Sequence, residues 1–336
     1  MPVRTKTRRP SYVKSAGPAV EQQSAMRVPL RKHCAHTWLA GLIVSLAAHT
    51  WADPAGNTLL DPTWVRAPTA YSHAQSSQLR QAVELEALGR GGEAERIYAE
   101  LARGVPSVSA PYGNAARALF AMAERTPAEQ REARITLLER GREWAERGLA
   151  IDPRCTSCML YKSATLGRLS TIYGVVWGAR HVLELVTLLD RGIDLEPTEQ
   201  DGPQNSTLGN LYFARATAYR TVPEWMWLSW VIGFRGDIER ALGDIERARA
   251  LHPDRLDYLV EHGVILLCRG MRREDTASTR AGVERLNAAL ARPASYATDH
   301  KDQAMARRLL GEPDRACEFS RDGFLSIEEH ASHGST

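Results

Sequence analysis

The feature that most constrains the fold of this chain is a helical segment that recurs and each time stops at a proline. The segments GLAIDP, GIDLEP and ARALHP end at Pro153, Pro197 and Pro253, and ELARGVP ends in the same way at Pro106. Proline lacks a backbone N–H and its ring clashes with the preceding turn, so a helix cannot continue through it. The spacings of 47, 44 and 56 residues indicate repeated helical units.

Between these prolines the chain alternates helical patterns with short Gly or Pro interruptions, and we find no convincing strand. The sequence therefore predicts an all-α fold, a solenoid of about five helical pairs over residues 76–312. Such pairs are stable only when each packs on its neighbours. Residues 53–75 are rich in Pro, Asp, Thr and Ser and are predicted to be a linker. Residues 313–336 are predicted to form a cap and a loose C-terminal tail.

One unit, residues 88–106, resembles the second half of a tetratricopeptide repeat. In that pattern a small residue, a larger one four positions later and a final proline recur, here as Ala94, Tyr98 and Pro106. The fourth unit fills the same frame with Ala241, Ile245, Ala248 and Pro253. Small residues let the two helices of a pair approach closely, and the larger one fills the groove between neighbouring pairs.

The order of motifs along residues 76–312 resembles a group of secreted bacterial tetratricopeptide proteins. That group is similar to the regulator of microtubule dynamics family and, more loosely, to the T-component of TRAP-type transporters. The motifs are DPRC-x-x-C at 152–158, Asp201-Gly202-Pro203, Leu208-Gly209, Gly236-Asp237 and the proline endings. The group often has His after the second cysteine, whereas this chain has Met159. The resemblance implies a binding or interaction role without catalysis.

The third and fourth units exceed the length of a tetratricopeptide repeat and contain aromatic insertions. STIYGVVWGAR at 170–180 contains Tyr173 and Trp177, and TVPEWMWLSWVIGFRGDI at 221–238 contains Trp225, Trp227 and Trp230. Insertions at equivalent points of neighbouring repeats lie on the same face of a solenoid. These five aromatic residues are our candidates for binding a partner or ligand.

The tryptophan-rich run has three interpretations. Trp227, Trp230, Phe234 and Ile238 share one helical face, and such a stripe is typical of packing against a neighbouring repeat. The alternatives are a pocket for a peptide or a small apolar ligand and insertion into a membrane interface. A membrane-bound helix usually has a Lys/Arg face, which this run lacks. We favour packing.

Four cysteines follow the leader: Cys155, Cys158, Cys268 and Cys317. The Cys155–Cys158 spacing permits a local disulfide, and the same motif serves thiol–disulfide exchange in thioredoxin-like proteins. That use follows a strand, which is missing here. A zinc site would need two further ligands at finger spacing. We favour a structural disulfide or inert thiols over a redox or metal role, and expect no metal and no cofactor.

The N-terminal region is predicted to direct export. Arg31 and Lys32 precede the apolar run TWLAGLIVSLAAHTWA at 37–52, which fits a signal peptide cleaved after Ala52. The run is too short to span a membrane. The alternative is an uncleaved anchor. Met26 would give a more usual start, so residues 1–25 are either an over-extended gene start or an unusual n-region. The expected location is periplasmic or secreted.

The charge distribution argues against nucleic-acid binding. Residues 1–52 contain eight basic residues and one acidic residue, which leaves 35 basic and 39 acidic residues in the body, without the basic footprint that phosphate binding needs. The motifs G-x-S-x-G, H-E-x-x-H and a phosphate-binding loop are absent from the sequence. We therefore expect a non-enzymatic scaffold whose concave face binds a protein or peptide. The alternatives are capture of a small ligand, as in a TRAP-type system, and thiol–disulfide exchange at Cys155 and Cys158.

Overall fold

The computed structural model of the chain describes residues 67–202, 205–294 and 298–321, and the backbone of 323–324. The predicted signal peptide with its cleavage site after Ala52 lies outside the described residues, as does most of the predicted linker.

Over the described residues, the chain forms twelve α-helices and one 3₁₀ helix. The helices are α1 (His73–Ala87), α2 (Gly91–Gly104), α3 (Ala110–Arg125), α4 (Arg131–Ile151), α5 (Thr156–Tyr173), α6 (Val175–Asp194), α7 (Thr207–Thr221), α8 (Met226–Ile232), α9 (Ile238–Leu251), α10 (Leu256–Arg273), α11 (Thr276–Ala291), α12 (Asp299–Gly311) and the 3₁₀ helix (Pro313–Glu318).

The helices pack as five successive pairs: α1 with α2, α3 with α4, α5 with α6, α7 with α9, and α10 with α11. The second helix of each pair also packs on the first helix of the next. First helices contact one another from α3 to α5, from α5 to α7 and from α7 to α10. The predicted all-α solenoid of helical pairs is confirmed. We call the surface on which the first helices meet the first-helix face.

The prolines end the second helix of each pair, as the sequence predicts. Helices α2, α4, α6 and α9 stop two or three residues before Pro106, Pro153, Pro197 and Pro253. Helix α11 stops in the same way before Pro293, a fifth ending that our sequence analysis did not use. The small and large residues of the repeat frame are completely buried: Ala94, Tyr98, Ala241, Ile245 and Ala248.

The extra residues of the third and fourth pairs are accommodated differently. In the third pair they lengthen the helices, because α5 and α6 are separated only by Gly174, whose φ of 92° suits glycine. In the fourth pair they form a separate short helix, α8, which lies between α7 and α9 and contacts α6.

Two small antiparallel ladders accompany the helices. Strand β1 (Gln200–Gly202) pairs with β2 (Asn205–Ser206), and β3 (Phe319–Ser320) pairs with β4 (Gly323–Phe324). The sequence did not predict them. The first forms a hairpin between the third and fourth pairs. The second follows the 3₁₀ helix, which packs on α10, α12 and α7.

Candidate functional site

Exposed apolar side chains on α6 and α8 form the surface that we call the α6–α8 patch. Its members share an exposed side chain on one of these helices or at the start of α8: Val175, Val176, Leu183, Trp225, Met226, Trp227, Trp230 and Val231. The two helices approach each other at Gly233, where an added Cβ would lie 3.1 Å from Leu183 Cδ2. Clustered exposed apolar side chains are typical of interaction sites, and the approach at Gly233 places α8 beside α6.

Helix α8 owes its exposure to its boundaries. Gly233 ends it in the left-handed conformation, with φ 73°, and none of its seven residues, all within the described chain, is buried. Trp230 is 82% exposed and Trp227 51%. The packing interpretation is therefore wrong for these two side chains. The turn at Gly233 interrupts the predicted helical face, and only its end is buried, with Phe234 against Tyr219 and Ile238 at the start of α9.

The five candidate aromatic residues fall into two groups, with Trp225, Trp227 and Trp230 at α8 and Tyr173 and Trp177 at the junction of α5 and α6. Trp225 and Trp227 stack with ring centroids 5.7 Å apart. Tyr173 and Trp177 form a separate pair, 5.3 Å apart. Trp177 is partly buried against the core and stacks on His181 at 3.8 Å, so it supports the third pair. Tyr173 is partly exposed below the Arg131 guanidinium.

The first-helix face is occupied by the paired strands β1 and β2, which we call the hairpin. Asp201 accepts hydrogen bonds from the Tyr161 hydroxyl and the Asn210 amide, both at 2.6 Å. Arg117 lies 3.6 Å from the other Asp201 oxygen and donates two hydrogen bonds to Glu86. These residues join α1, α3, α5 and α7 to the hairpin.

The same network continues to α10. The Tyr258 hydroxyl lies 2.8 Å from Asn210 Oδ1 and 3.2 Å from Asn205 Oδ1, and His252 Nε2 lies 3.0 Å from the Ser206 hydroxyl. Burial raises the pKa of Asp201 above its ordinary value, while the Arg117 charge and the hydrogen bonds oppose this rise. Burial, reinforced by Asp201, also holds the pKa of Tyr161 well above its usual range. The hairpin is thus bound by satisfied, buried polar groups.

Residues 313–321 cover another part of the first-helix face, and we call them the C-terminal strap. Arg220, which is 1% exposed, donates to Glu261 and to the Ala316 and Phe319 carbonyls, the latter at 3.1 Å. Phe319 is buried. Arg321 pairs with Asp302 on α12 and approaches Glu124 on α3. Sequence analysis missed Arg220, which no motif in the sequence distinguishes from other arginines.

All four cysteines of the body are joined in disulfides. Cys155 and Cys158 are linked at the start of α5, where both are buried. Cys268 on α10 is linked to Cys317 in the strap. The body has an even number of cysteines in a chain expected to be exported. Because four cysteines allow three pairings, the sequence could not identify the observed pairing.

Other kinds of site receive little support. A cavity of about 200 Å³ between α3 and α12 is lined mainly by polar and charged residues, among them Glu124, Lys301 and Arg321, and lies apart from the tryptophans. Drug-sized ligands need roughly 300–1,000 Å³. In the described parts of the chain, no cluster of three His, Cys, Asp or Glu side chains is arranged to hold a metal. No helix within the described ranges combines the length and apolarity that crossing a bilayer requires.

Comparisons with known proteins give a likeness to solved structures but none to a family or a curated protein. No protein-family model and no curated protein matches the chain significantly. Among solved structures, the chain is similar to a thermophilic TPR protein of Thermus thermophilus, at 16% sequence identity and a TM-score of 0.45. The similarity covers 70% of this chain and 98% of that protein.

Proposed function

We propose that this protein is an exported, non-catalytic scaffold that binds a protein partner through the α6–α8 patch. The observation that carries the proposal is the exposure of Trp225, Trp227 and Trp230 on an uncharged helix. Tryptophan is enriched among the residues that dominate binding energy in protein interfaces. Stacked repeats commonly bind partners on their extended surfaces.

The filled first-helix face supports this choice of surface. The hairpin around Asp201 and the strap around Phe319 already occupy the first-helix face. A partner at that side would have to displace buried, hydrogen-bonded groups, which is unfavourable. Binding at the α6–α8 patch requires only that exposed apolar surface be covered.

The alternatives have weaker support. A small-ligand component of a TRAP-type system would need an aromatic-lined pocket, whereas the tryptophans lie on an open surface. Thiol–disulfide exchange needs an accessible sulfur, whereas Cys155 and Cys158 are buried. A lipid interface would use the same tryptophans, but α8 contains no Lys or Arg to face anionic headgroups.

The partner is tested by site-specific photo-crosslinking in the expressing cells. A crosslinker at Trp230 should yield one discrete adduct, and the same group at Leu88, another exposed apolar position, should not. The purified adduct partner should then bind the wild-type chain and lose at least tenfold in affinity for the Trp225→Ser/Trp227→Ser/Trp230→Ser variant. Equal crosslinking from both positions would contradict the proposal, as would sedimentation with lipid vesicles that depends on the tryptophans.

Export is tested separately by sequencing the N-terminus of the protein recovered outside the cytoplasm. A mature chain that begins at Asp53 supports cleavage after Ala52. A chain that keeps the apolar run at 37–52 would show that this run is an uncleaved anchor and not a cleaved signal peptide.

A further inference from the structure

We propose that the Cys268–Cys317 disulfide fastens the C-terminal strap over the first-helix face, and that its reduction releases the strap and opens this face. The bond joins α10, the first helix of the fifth pair, to the 3₁₀ helix of the strap. It is a covalent link between the strap and α10 in addition to the backbone. The inference is independent of the α6–α8 patch, which lies on other helices.

The reducing step uses a dithiol reductant. One thiolate of the reductant attacks a sulfur of the disulfide, the Sγ–Sγ bond breaks, and a mixed disulfide forms. The second thiol of the reductant then displaces the remaining cysteine. Cys268 and Cys317 become two thiols by taking up two electrons and two protons, and the reductant is oxidised to its own disulfide. Cys317 is only partly buried, so its sulfur is the more accessible point of attack.

The noncovalent contacts of the strap are both apolar and polar: Ala316 and Phe319 are buried in the core, and the 3₁₀ helix packs on α10, α12 and α7. The large side chain of Phe319 is buried, and two carbonyls of the strap accept hydrogen bonds from Arg220. Arg321 of the strap reaches the carboxylates of Asp302 and Glu124. Buried charges are offset only partly by their partners. Burial raises the pKa of Asp302 to about 6, although Arg321 acts in the opposite direction. Once the disulfide is broken, solvation of these charges and the freedom of the segment both favour release.

Release removes Ala316 and Phe319 from the core that they share with the repeats, but it leaves the packing of the repeat helices on one another in place. Arg220 keeps its ion pair with Glu261 on α10, and α10 keeps its contacts with α9 and α11. The surface that is uncovered contains the Arg220 guanidinium and the apolar surface against which Phe319 packs.

Hydrogen exchange of the full chain, measured by mass spectrometry with and without dithiothreitol, tests the proposal. We expect the amides of residues 313–321 to exchange at least tenfold faster after reduction, and those of α3–α6 to change less than twofold. The Cys317→Ser variant should exchange like the reduced wild type without any reductant. The Cys158→Ser variant is the matched control, because it breaks the local disulfide and should leave strap exchange unchanged.

Two outcomes would overturn the proposal. Unchanged protection of 313–321 in both the reduced wild type and Cys317→Ser would mean that noncovalent contacts alone hold the strap. Concerted loss of protection across α7–α12 would mean that the disulfide stabilises this half of the solenoid as a whole, without a local opening.

Discussion

The first-helix face and the α6–α8 patch differ in composition and in what covers them. The first-helix face is lined by buried polar groups, and the chain's own hairpin and strap satisfy them. The α6–α8 patch is apolar, and α8 contributes no buried residue. A solenoid can thus fill its first-helix face with its own connections and expose an inserted helix elsewhere.

Replacement of Arg220 should have the largest effect on stability and tests how the strap is held on the first-helix face. Replacement by Met retains much of the side-chain volume but leaves Glu261 buried without its partner, so we expect the free energy of unfolding to fall by about 3–5 kcal/mol. Urea denaturation followed by circular dichroism measures this. Arg90→Ala, which removes an exposed pair with Glu93, should leave the midpoint unchanged. Equal midpoints for the two variants would show that Arg220 does not fasten the strap.

Asp201 tests the other occupant of the first-helix face. In Asp201→Ala, the Tyr161 hydroxyl and the Asn210 amide lose their acceptor, and we expect a loss of about 2–4 kcal/mol. Faster hydrogen exchange confined to 200–206 should accompany it. The control Asp254→Ala removes a highly exposed carboxylate and should change stability by less than about 0.5 kcal/mol. A change that small for Asp201→Ala would mean that the hairpin is not bound by this network.

His262 gives a pH-dependent test between the fourth and fifth pairs. Burial, followed by Arg249 and Arg285, lowers the pKa of His262 to about 4, and its Nδ1 lies 2.8 Å from Arg249 Nη1. Because the unfolded chain binds this proton more readily, the contribution of His262 to stability is complete above pH 6.5 and is lost as pH falls towards 4. The loss should reach at most about 3 kcal/mol.

The measurement is the difference in unfolding free energy between wild type and His262→Gln across roughly pH 4–7.5. Asp302, with a pKa of about 6, has the opposite effect in the same range because the folded state favours its protonated form. Taking the difference between the two proteins cancels this contribution. A difference that does not vary with pH would show that His262 is not desolvated.

The smallest expected change in stability belongs to the patch itself. Trp227→Ser and Trp230→Ser should each alter the unfolding free energy by less than about 0.5 kcal/mol, because both side chains are at least half exposed. Trp144 is buried, and its indole donates a hydrogen bond to Glu95 at 2.9 Å. Replacement of Trp144 by Phe should lower the free energy of unfolding by about 1–3 kcal/mol. If the two patch variants lose as much as Trp144→Phe, α8 is part of the packed fold.

The sequence predicts the repeats well because their signals are local. Proline endings at Pro106, Pro153, Pro197 and Pro253 and small residues such as Ala94 and Ala241 depend on helix geometry alone. The Cys268–Cys317 link and the Arg220–Glu261 pair join residues 49 and 41 positions apart, which no periodicity reveals. The exposure of Trp227 and Trp230 was mispredicted because their spacing fits a buried stripe, and the turn at Gly233 was not recognised.

The most direct test of the contrast is hydrogen exchange of the unmodified, oxidised protein. The amides of 200–202, 205–206 and 313–320 should exchange as slowly as those of the neighbouring helices α7 and α10, and those of α8 should exchange at least tenfold faster. Fast exchange in both the hairpin and the strap, together with a protected α8, would show that the first-helix face is open and the patch is covered.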